Sequence, residues 1–146
     1  MNIGDFEKLP DRLPTELLIS LFRNVLKEFE DMRLDKKEFL LILAELTDRQ
    51  IMTYELLEEK TRDDVDVVVE RLWNTNSYDD VDVILSIVVN LGLEKSYHKI
   101  KESIKEDNID IIILNEIKET IMEVGDNISN PYYDLERFKP SKNELK

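Results

Sequence analysis

The sequence predicts an all-α protein in which antiparallel helical hairpins stack into a short array. Between Pro14 and Pro131 the chain has no proline, and only Gly92 and Gly125 interrupt that stretch as glycines. Proline breaks helices and glycine commonly ends them, so their scarcity favours helices joined by short polar turns. Apolar residues in the same stretch recur at spacings of three and four, which is the period of a helix with one buried face.

Composition limits the classes of protein and partner that need to be considered. The chain has 146 residues, with 33 acidic and 20 basic side chains, and its net charge is −13. This length suits a single domain, and the negative charge would repel nucleic acid. No apolar run approaches the roughly 20 residues that cross a bilayer. The absence of cysteine excludes disulfides and thiolate metal sites. We therefore expect a cytoplasmic protein that binds neither nucleic acid nor a membrane.

Three helices are predicted in the first 60 residues. Apolar residues of the segment 17–29 follow helical spacing behind Pro14, which suits the first turn of a helix. Asp35-Lys36-Lys37-Glu38 has the pattern of a capping box and predicts the start of a second helix. Thr47-Asp48-Arg49-Gln50 repeats this pattern, so we expect a third helix from there to about Lys60.

The segment that follows contains an internal repeat. Asp63-Asp64-Val65-Asp66-Val67 recurs letter for letter 16 residues later as Asp79-Asp80-Val81-Asp82-Val83. This spacing is the length of one helix and one turn. A second echo spans 33 residues and relates Ile84, Leu91 and Gly92 to Ile117, Val124 and Gly125. Periods of this size predict hairpins stacked side by side, each too small to bury its own apolar face.

A β-strand is the alternative structure for the repeated segment, because alternating valines suit a strand. Helical spacing continues, however, over ten or more residues without a turn signal, and this favours helices. Two further helices are predicted at 94–106 and at 109–125, the second capped by Asp107 or Asn108. The residues that we expect to be buried between the helices are Val65, Val68, Leu72, Val81, Ile84, Leu85, Val88, Ile113, Ile117 and Ile121.

The domain organisation follows from these elements. Residues 1–126 are predicted to form one helical domain, in which 47–126 are the repeat-like hairpins. Residues 127–146 carry two prolines and no helical stripe, so we expect an irregular tail. Its aromatic residues, which could pack over the last hairpin, are Tyr132, Tyr133 and Phe138.

Few residues suggest chemistry. Trp73 follows Leu72 on an apolar stripe and is interpreted as a core residue, with a role as a partner anchor as the alternative. His98 is the only histidine, and a catalytic or metal site would need a further converging ligand, so we interpret it as a surface residue. The chain has no Gly-x-Ser-x-Gly elbow and no glycine-rich phosphate loop. We expect no enzymatic activity, no metal and no cofactor.

The repeated acidic residues are the strongest candidate for a functional site. Seven carboxylates lie within 20 residues, and they repel one another unless they are solvated or matched by positive charge. A divalent cation is one alternative, but no loop has the Asp-x-Asp-x-Asp-Gly ligand pattern. We expect two acidic edges side by side on the solvent face, where they bind a basic protein partner. The candidate partner-binding residues are Asp63, Asp64, Asp66, Glu70, Tyr78, Asp79, Asp80 and Asp82.

Two resemblances add to this interpretation. Asn90-Leu91-Gly92-Leu93 and Glu123-Val124-Gly125-Asp126 each close a predicted helix, and in this respect residues 47–126 resemble degenerate HEAT-type repeats. The chain is also similar to the all-α immunity proteins that bacteria encode beside polymorphic toxins of the contact-dependent inhibition type. That similarity lies in its size, its acidity and the runs Arg71-Leu72-Trp73-Asn74, Asn90-Leu91-Gly92-Leu93 and Asn130-Pro131-Tyr132-Tyr133. It implies a protein that masks the basic active-site surface of a nuclease-like toxin. A generic helical-repeat adaptor or scaffold is the alternative.

Overall fold

The computed structural model describes residues 1–131, which form seven α-helices and no strand. The helices are α1 (Ile3–Glu7), α2 (Thr15–Glu30), α3 (Lys36–Ile51), α4 (Glu59–Leu72), α5 (Tyr78–Leu91), α6 (Glu94–Ser103) and α7 (Ile111–Val124). The prediction of an all-α fold is confirmed. The predicted tail is described only as far as Pro131, so the expected packing of Tyr132, Tyr133 and Phe138 lies outside the described residues.

The six longer helices form two layers. α4 contacts α2 and α6 in one layer, and α5 contacts α3 and α7 in the other. Helices within a layer run parallel, since Asp66 of α4 lies against Ser96 of α6, and Glu70 and Lys99, each about one turn further along, also meet. Consecutive helices run antiparallel, because Gly92 at the end of α5 and Asp63 near the start of α4 line one small cavity. The packing is therefore that of a short array of helical hairpins.

The predicted break at Thr47 is wrong. α3 continues from Lys36 to Ile51, because Thr47 Oγ1 donates a hydrogen bond of 2.7 Å to the carbonyl of Leu43 one turn earlier and so caps no new helix. The predicted third helix is replaced by the connection 52–58. The cap of α7 also differs from the predicted Asp107 or Asn108, since Asp110, two residues beyond Asn108, accepts from the amide of Ile112.

The capping box at the start of α3 is confirmed. Asp35 Oδ1 accepts from the amide of Glu38 at 2.7 Å, and Glu38 Oε1 accepts from the amide of Asp35 at 3.3 Å. This reciprocal pair satisfies two of the amides that a helix start leaves without partners. The start of α3 lies next to the start of α5 in the same layer, where Lys36 pairs with Asp80.

Arg49, which the sequence placed in a helix cap, instead attaches α1 to the end of α3. Its side chain is buried, pairs with the Glu45 carboxylate and donates to the carbonyls of Glu7, Leu9 and Pro10. A buried guanidinium is tolerated only where its donors find acceptors, and these carbonyls supply them. The short helix α1, which the sequence did not predict, is held by this contact and by the buried ring of Phe6.

The core extends through both layers. Eight of the ten predicted core residues are buried, and Leu72 and Ile121 are half-buried and pack against the core. The sequence repeat with a spacing of 33 residues relates structurally equivalent positions. Ile84 of α5 and Ile117 of α7 are both fully buried in the same layer. The interpretation of Trp73 as a core residue is confirmed, since only 8% of its surface is exposed.

Gly92 ends α5 in a place that only glycine suits. Its φ is 71°, in the left-handed region, and a Cβ there would lie 2.8 Å from the carbonyl oxygen of Ile128. The segment that follows α7 therefore passes directly over the end of α5, and Pro131 packs against it. This close approach closes one end of the array.

We predict that alanine in place of Ile84 or Ile117 lowers the free energy of unfolding by about 2–4 kcal/mol, the usual cost for a large buried aliphatic side chain. Ile112 is a matched control on α7, because 61% of its surface is exposed. Ile112→Ala should change the stability by about 0.5 kcal/mol or less. Urea denaturation followed by circular dichroism measures all three variants. Equal effects at Ile112 and Ile117 would contradict the burial described here.

Candidate functional site

The two copies of the repeated acidic segment lie on separate surfaces. The first copy, Asp63–Val67, begins at the fifth residue of α4, whereas the second copy, Asp79–Val83, begins at the second residue of α5. Because α4 and α5 are antiparallel, the copies lie toward opposite ends of their hairpin, and the two helices belong to different layers. The expectation of two acidic edges side by side is therefore wrong.

The second aspartate of each copy is occupied by an ion pair with the preceding hairpin. Asp64 Oδ2 lies 2.5 Å from Nη1 of Arg23 on α2, and the hydrogen bond from Arg23 lowers the pKa of Asp64 below its usual range. Asp80 Oδ2 lies 2.6 Å from Nζ of Lys36 on α3. These two carboxylates connect neighbouring helices within each layer, and the chain's own cations already balance their charge.

The third aspartate differs completely between the copies. Asp66 is only 5% exposed, and its carboxylate accepts from the amides of Lys95 at 2.9 Å and Ser96 at 2.8 Å and from Ser96 Oγ at 2.6 Å. It therefore caps the N-terminus of α6 from a neighbouring helix, where a negative charge is favourable. Asp66 was expected on the solvent face, and that expectation is wrong. Its counterpart Asp82 is exposed.

Three of the predicted site residues keep a free carboxylate on the surface. Asp63, Asp79 and Asp82 are exposed, and none of them forms an ion pair with another residue of the described part. Glu70 is half-buried, and its backbone carbonyl accepts from Nζ of Lys99 at 2.8 Å. Of the seven acids predicted to bind a partner, only Asp79 and Asp82 lie close together and form no ion pair with a described lysine or arginine.

A groove between α3 and α5 contains these two aspartates. Its volume is about 700 Å³. Its apolar lining residues are called the floor below, and its carboxylates are called the rim. The floor residues are Leu40, Leu41, Ala44 and Val83, and the rim carboxylates are Asp48, Asp79, Asp80 and Asp82. Such a combination suits recognition of a surface that is both apolar and basic.

Asp48 belongs to this groove, although the sequence placed it in a helix cap. Partial burial is the main cause that raises the pKa of its carboxyl, with a further contribution from Glu45, while Arg49 opposes the shift. If a continuous α3 had been predicted, Asp48 would have been found as a groove residue. The residues Lys37, Leu41, Ala44 and Asp48 recur at helical spacing along one face. The false capping signal at Thr47 concealed it.

Tyr78 lies among negatively charged residues on the layer that contains α5. The residue is 43% exposed, and its pKa is raised above the ordinary value of 10.0, mainly by Glu116 of α7, then by desolvation, and also by Asp82 and Asp79. The prediction that Tyr78 lies at the margin of the acidic surface fits this position. Glu116 was not a predicted site residue, since no sequence signal connects it to α5. The negative surface therefore extends from the groove toward α7.

The described residues form few other candidates for a site. No group of three or more acidic or histidine side chains within residues 1–131 could hold a metal ion. His98 is exposed and lies one turn from Glu102, whose pKa is lowered mainly by a hydrogen bond from Lys105. None of the described helices is both long enough and apolar enough to cross a membrane.

No protein-family model, curated protein or solved structure matches the chain.

We predict unequal effects on stability for the third aspartates of the two copies. Asp66→Asn replaces one carboxylate oxygen by a donor group, so at least one of the buried donors at the start of α6 loses its acceptor. The free energy of unfolding should fall by about 1.5–3 kcal/mol, the range for hydrogen bonds to a charged group. Asp82→Asn should change it by about 0.5 kcal/mol or less. Similar effects at both positions in urea denaturation would contradict the assignment of Asp66 as the cap.

A second prediction concerns pH. In the folded chain the pKa of Asp48 is raised above its ordinary value of 3.8, so the charged carboxylate lowers the stability at neutral pH. This loss of stability disappears as the pH falls from the folded pKa to 3.8, because the carboxyl becomes protonated. Asp48→Asn should therefore raise the stability at about pH 7, and the gain should vanish near pH 3. The folded pKa of Asp64 is lowered, so its contribution is present above 3.8 and is lost as the pH falls through the folded value.

Asp64→Asn should accordingly lower the stability at neutral pH, and the loss should shrink in acid. Both effects should be modest, because water screens these partly exposed carboxylates. Chemical denaturation of the two variants and the wild-type chain across this pH range checks the signs. A stabilising Asp64→Asn or a destabilising Asp48→Asn at neutral pH would contradict the electrostatic description.

Proposed function

We propose that the chain is a non-enzymatic protein-binding module that acts as an immunity protein in the cytoplasm. In this proposal it neutralises a cognate toxin by covering the toxin's basic active-site surface. The observation that carries the proposal is the pair of unpaired carboxylates, Asp79 and Asp82, beside the apolar floor of the α3/α5 groove. A surface of this kind gains most from a partner that supplies both positive charge and an apolar side chain.

The whole-molecule charge supports the same proposal. A net charge of −13 attracts a basic partner over long range and accelerates association, most strongly at low salt. A nuclease-like toxin fits this requirement, since an active site that holds nucleic acid must be positively charged. The HEAT-like relationship of the hairpins forms part of the proposal, and the stacked arrangement of parallel helices in each layer supports it.

A generic adaptor is the second candidate, and one observation favours it. α7 forms one end of its layer and exposes Ile111, Ile112 and Met122 by 64%, 61% and 83%. Exposed apolar side chains at the end of a helical array suit an apolar partner, which need not be basic or toxic. The two candidates differ in the chemistry of the partner and in whether binding protects a cell.

We predict that the chain protects cells from the protein encoded beside it in the source genome. The C-terminal domain of that neighbour would be expressed from an inducible promoter, with and without this chain, and colony formation would be counted. Protection should restore growth to that of cells without the domain. If the domain is toxic and growth is equally poor with and without the chain, the immunity proposal is contradicted and the adaptor candidate is favoured.

A further inference from the structure

The α3/α5 groove is long enough to receive about three turns of a helix. Its lining residues on α3 extend from Lys37 to Asp48, which corresponds to about 16 Å at 1.5 Å per residue. The exposed part of Leu41, 39% of its surface, and the half-buried Val83 lie on the floor between the two helices. An apolar side chain from a partner would bury this surface, which residues 1–131 leave in contact with water.

The aspartates on the rim of the groove favour a positively charged partner. Asp48, Asp79 and Asp82 form no ion pair with a described residue, whereas Lys36 already holds Asp80. Within the described part of the chain, Lys37 is the single basic residue that lines the groove. Three free carboxylates on both long sides of an apolar floor therefore favour cations placed on either side of an apolar side chain.

We propose that this groove receives a basic amphipathic helix of a partner protein. The inference rests on the proposed function and assigns the contact surface for it. Leucine-sized side chains of the partner helix would lie over Leu41 and Val83, and its flanking lysines or arginines would reach Asp48, Asp79 and Asp82. A helix suits the site because it satisfies its own backbone groups, and the described residues offer no sheet edge to which a strand could add.

A second copy of the chain is a poor occupant, because two molecules that each carry a net charge of −13 repel one another. The chain's own basic residues beyond Pro131 are a different occupant, which the experiment must separate. These residues are Arg137, Lys139, Lys142 and Lys146.

The test uses the 146-residue chain and a synthetic helical peptide with leucines on one face and lysines on the other. Calorimetry measures its dissociation constant. Leu41→Ser should weaken binding about tenfold, as expected when a partly exposed leucine contact is lost, and should leave the salt dependence unchanged. Asp79→Asn combined with Asp82→Asn should weaken binding about tenfold and reduce its sensitivity to salt.

The matched control is Glu59→Gln combined with Asp63→Asn, which removes the same charge from exposed positions of α4. This control should change the dissociation constant by about twofold or less, since long-range attraction alone is weak at physiological salt. Equal weakening by both double variants would show attraction by charge alone and overturn the proposal. A peptide with the same composition but shuffled leucines should bind at least about tenfold more weakly, because its leucines no longer share one face.

Replacing the four basic residues beyond Pro131 by glutamine should leave peptide binding unchanged within about twofold. Binding that tightens tenfold or more would assign the groove to the chain's own segment and overturn the proposal. The peptide experiment requires no toxin, so its outcome is independent of the protection experiment. If the Leu41→Ser and aspartate variants protect cells as well as the wild-type chain does, the immunity proposal is retained. The groove is then rejected as the contact surface.

Discussion

The burial of α5 is the constraint on which the array depends. This helix contacts α3 and α7 in its own layer and α4 and α6 in the other, and Ile84 and Ile87 are fully buried between them. No hairpin could bury such a helix by itself, because its apolar residues point toward both neighbours and toward the second layer. The ion pairs Arg23–Asp64 and Lys36–Asp80 then bring successive hairpins together, and the Asp66 carboxylate fixes the start of α6.

Local sequence patterns predicted most of the fold because helical spacing and glycine stops are local properties. The ends of α5 and α7 at Gly92 and Gly125 show this. The pattern at Thr47 failed because a capping box and a continuing helix share the same residue types, and only tertiary burial decides between them. The repeated aspartates show the limit of sequence most clearly. Asp66 and Asp82 stand in identical pentapeptides, yet one caps a helix 29 residues further along the chain and the other remains exposed.

The two copies thus use their acidic residues differently. On α4 the aspartates at the second and third positions are used inside the molecule, by Arg23 and by the amides of α6. On α5 only Asp80 is used in this way, and Asp79 and Asp82 remain free beside the groove floor. Asp48 and Glu116 extend the same negative region from α3 to α7. The candidate site therefore belongs to one layer of the array and not to the duplicated sequence as a whole.

Amide chemical-shift mapping of the nitrogen-15-labelled chain tests this division most directly. The lysine–leucine peptide would be titrated into the labelled chain. The shifts should concentrate on the residues of α3 between Lys37 and Asp48 and on the segment 77–86 at the start of α5. Shifts centred on the first half of α4, or on Ile111, Ile112 and Met122 of α7, would contradict the assignment of the α3/α5 groove as the surface that binds a basic partner.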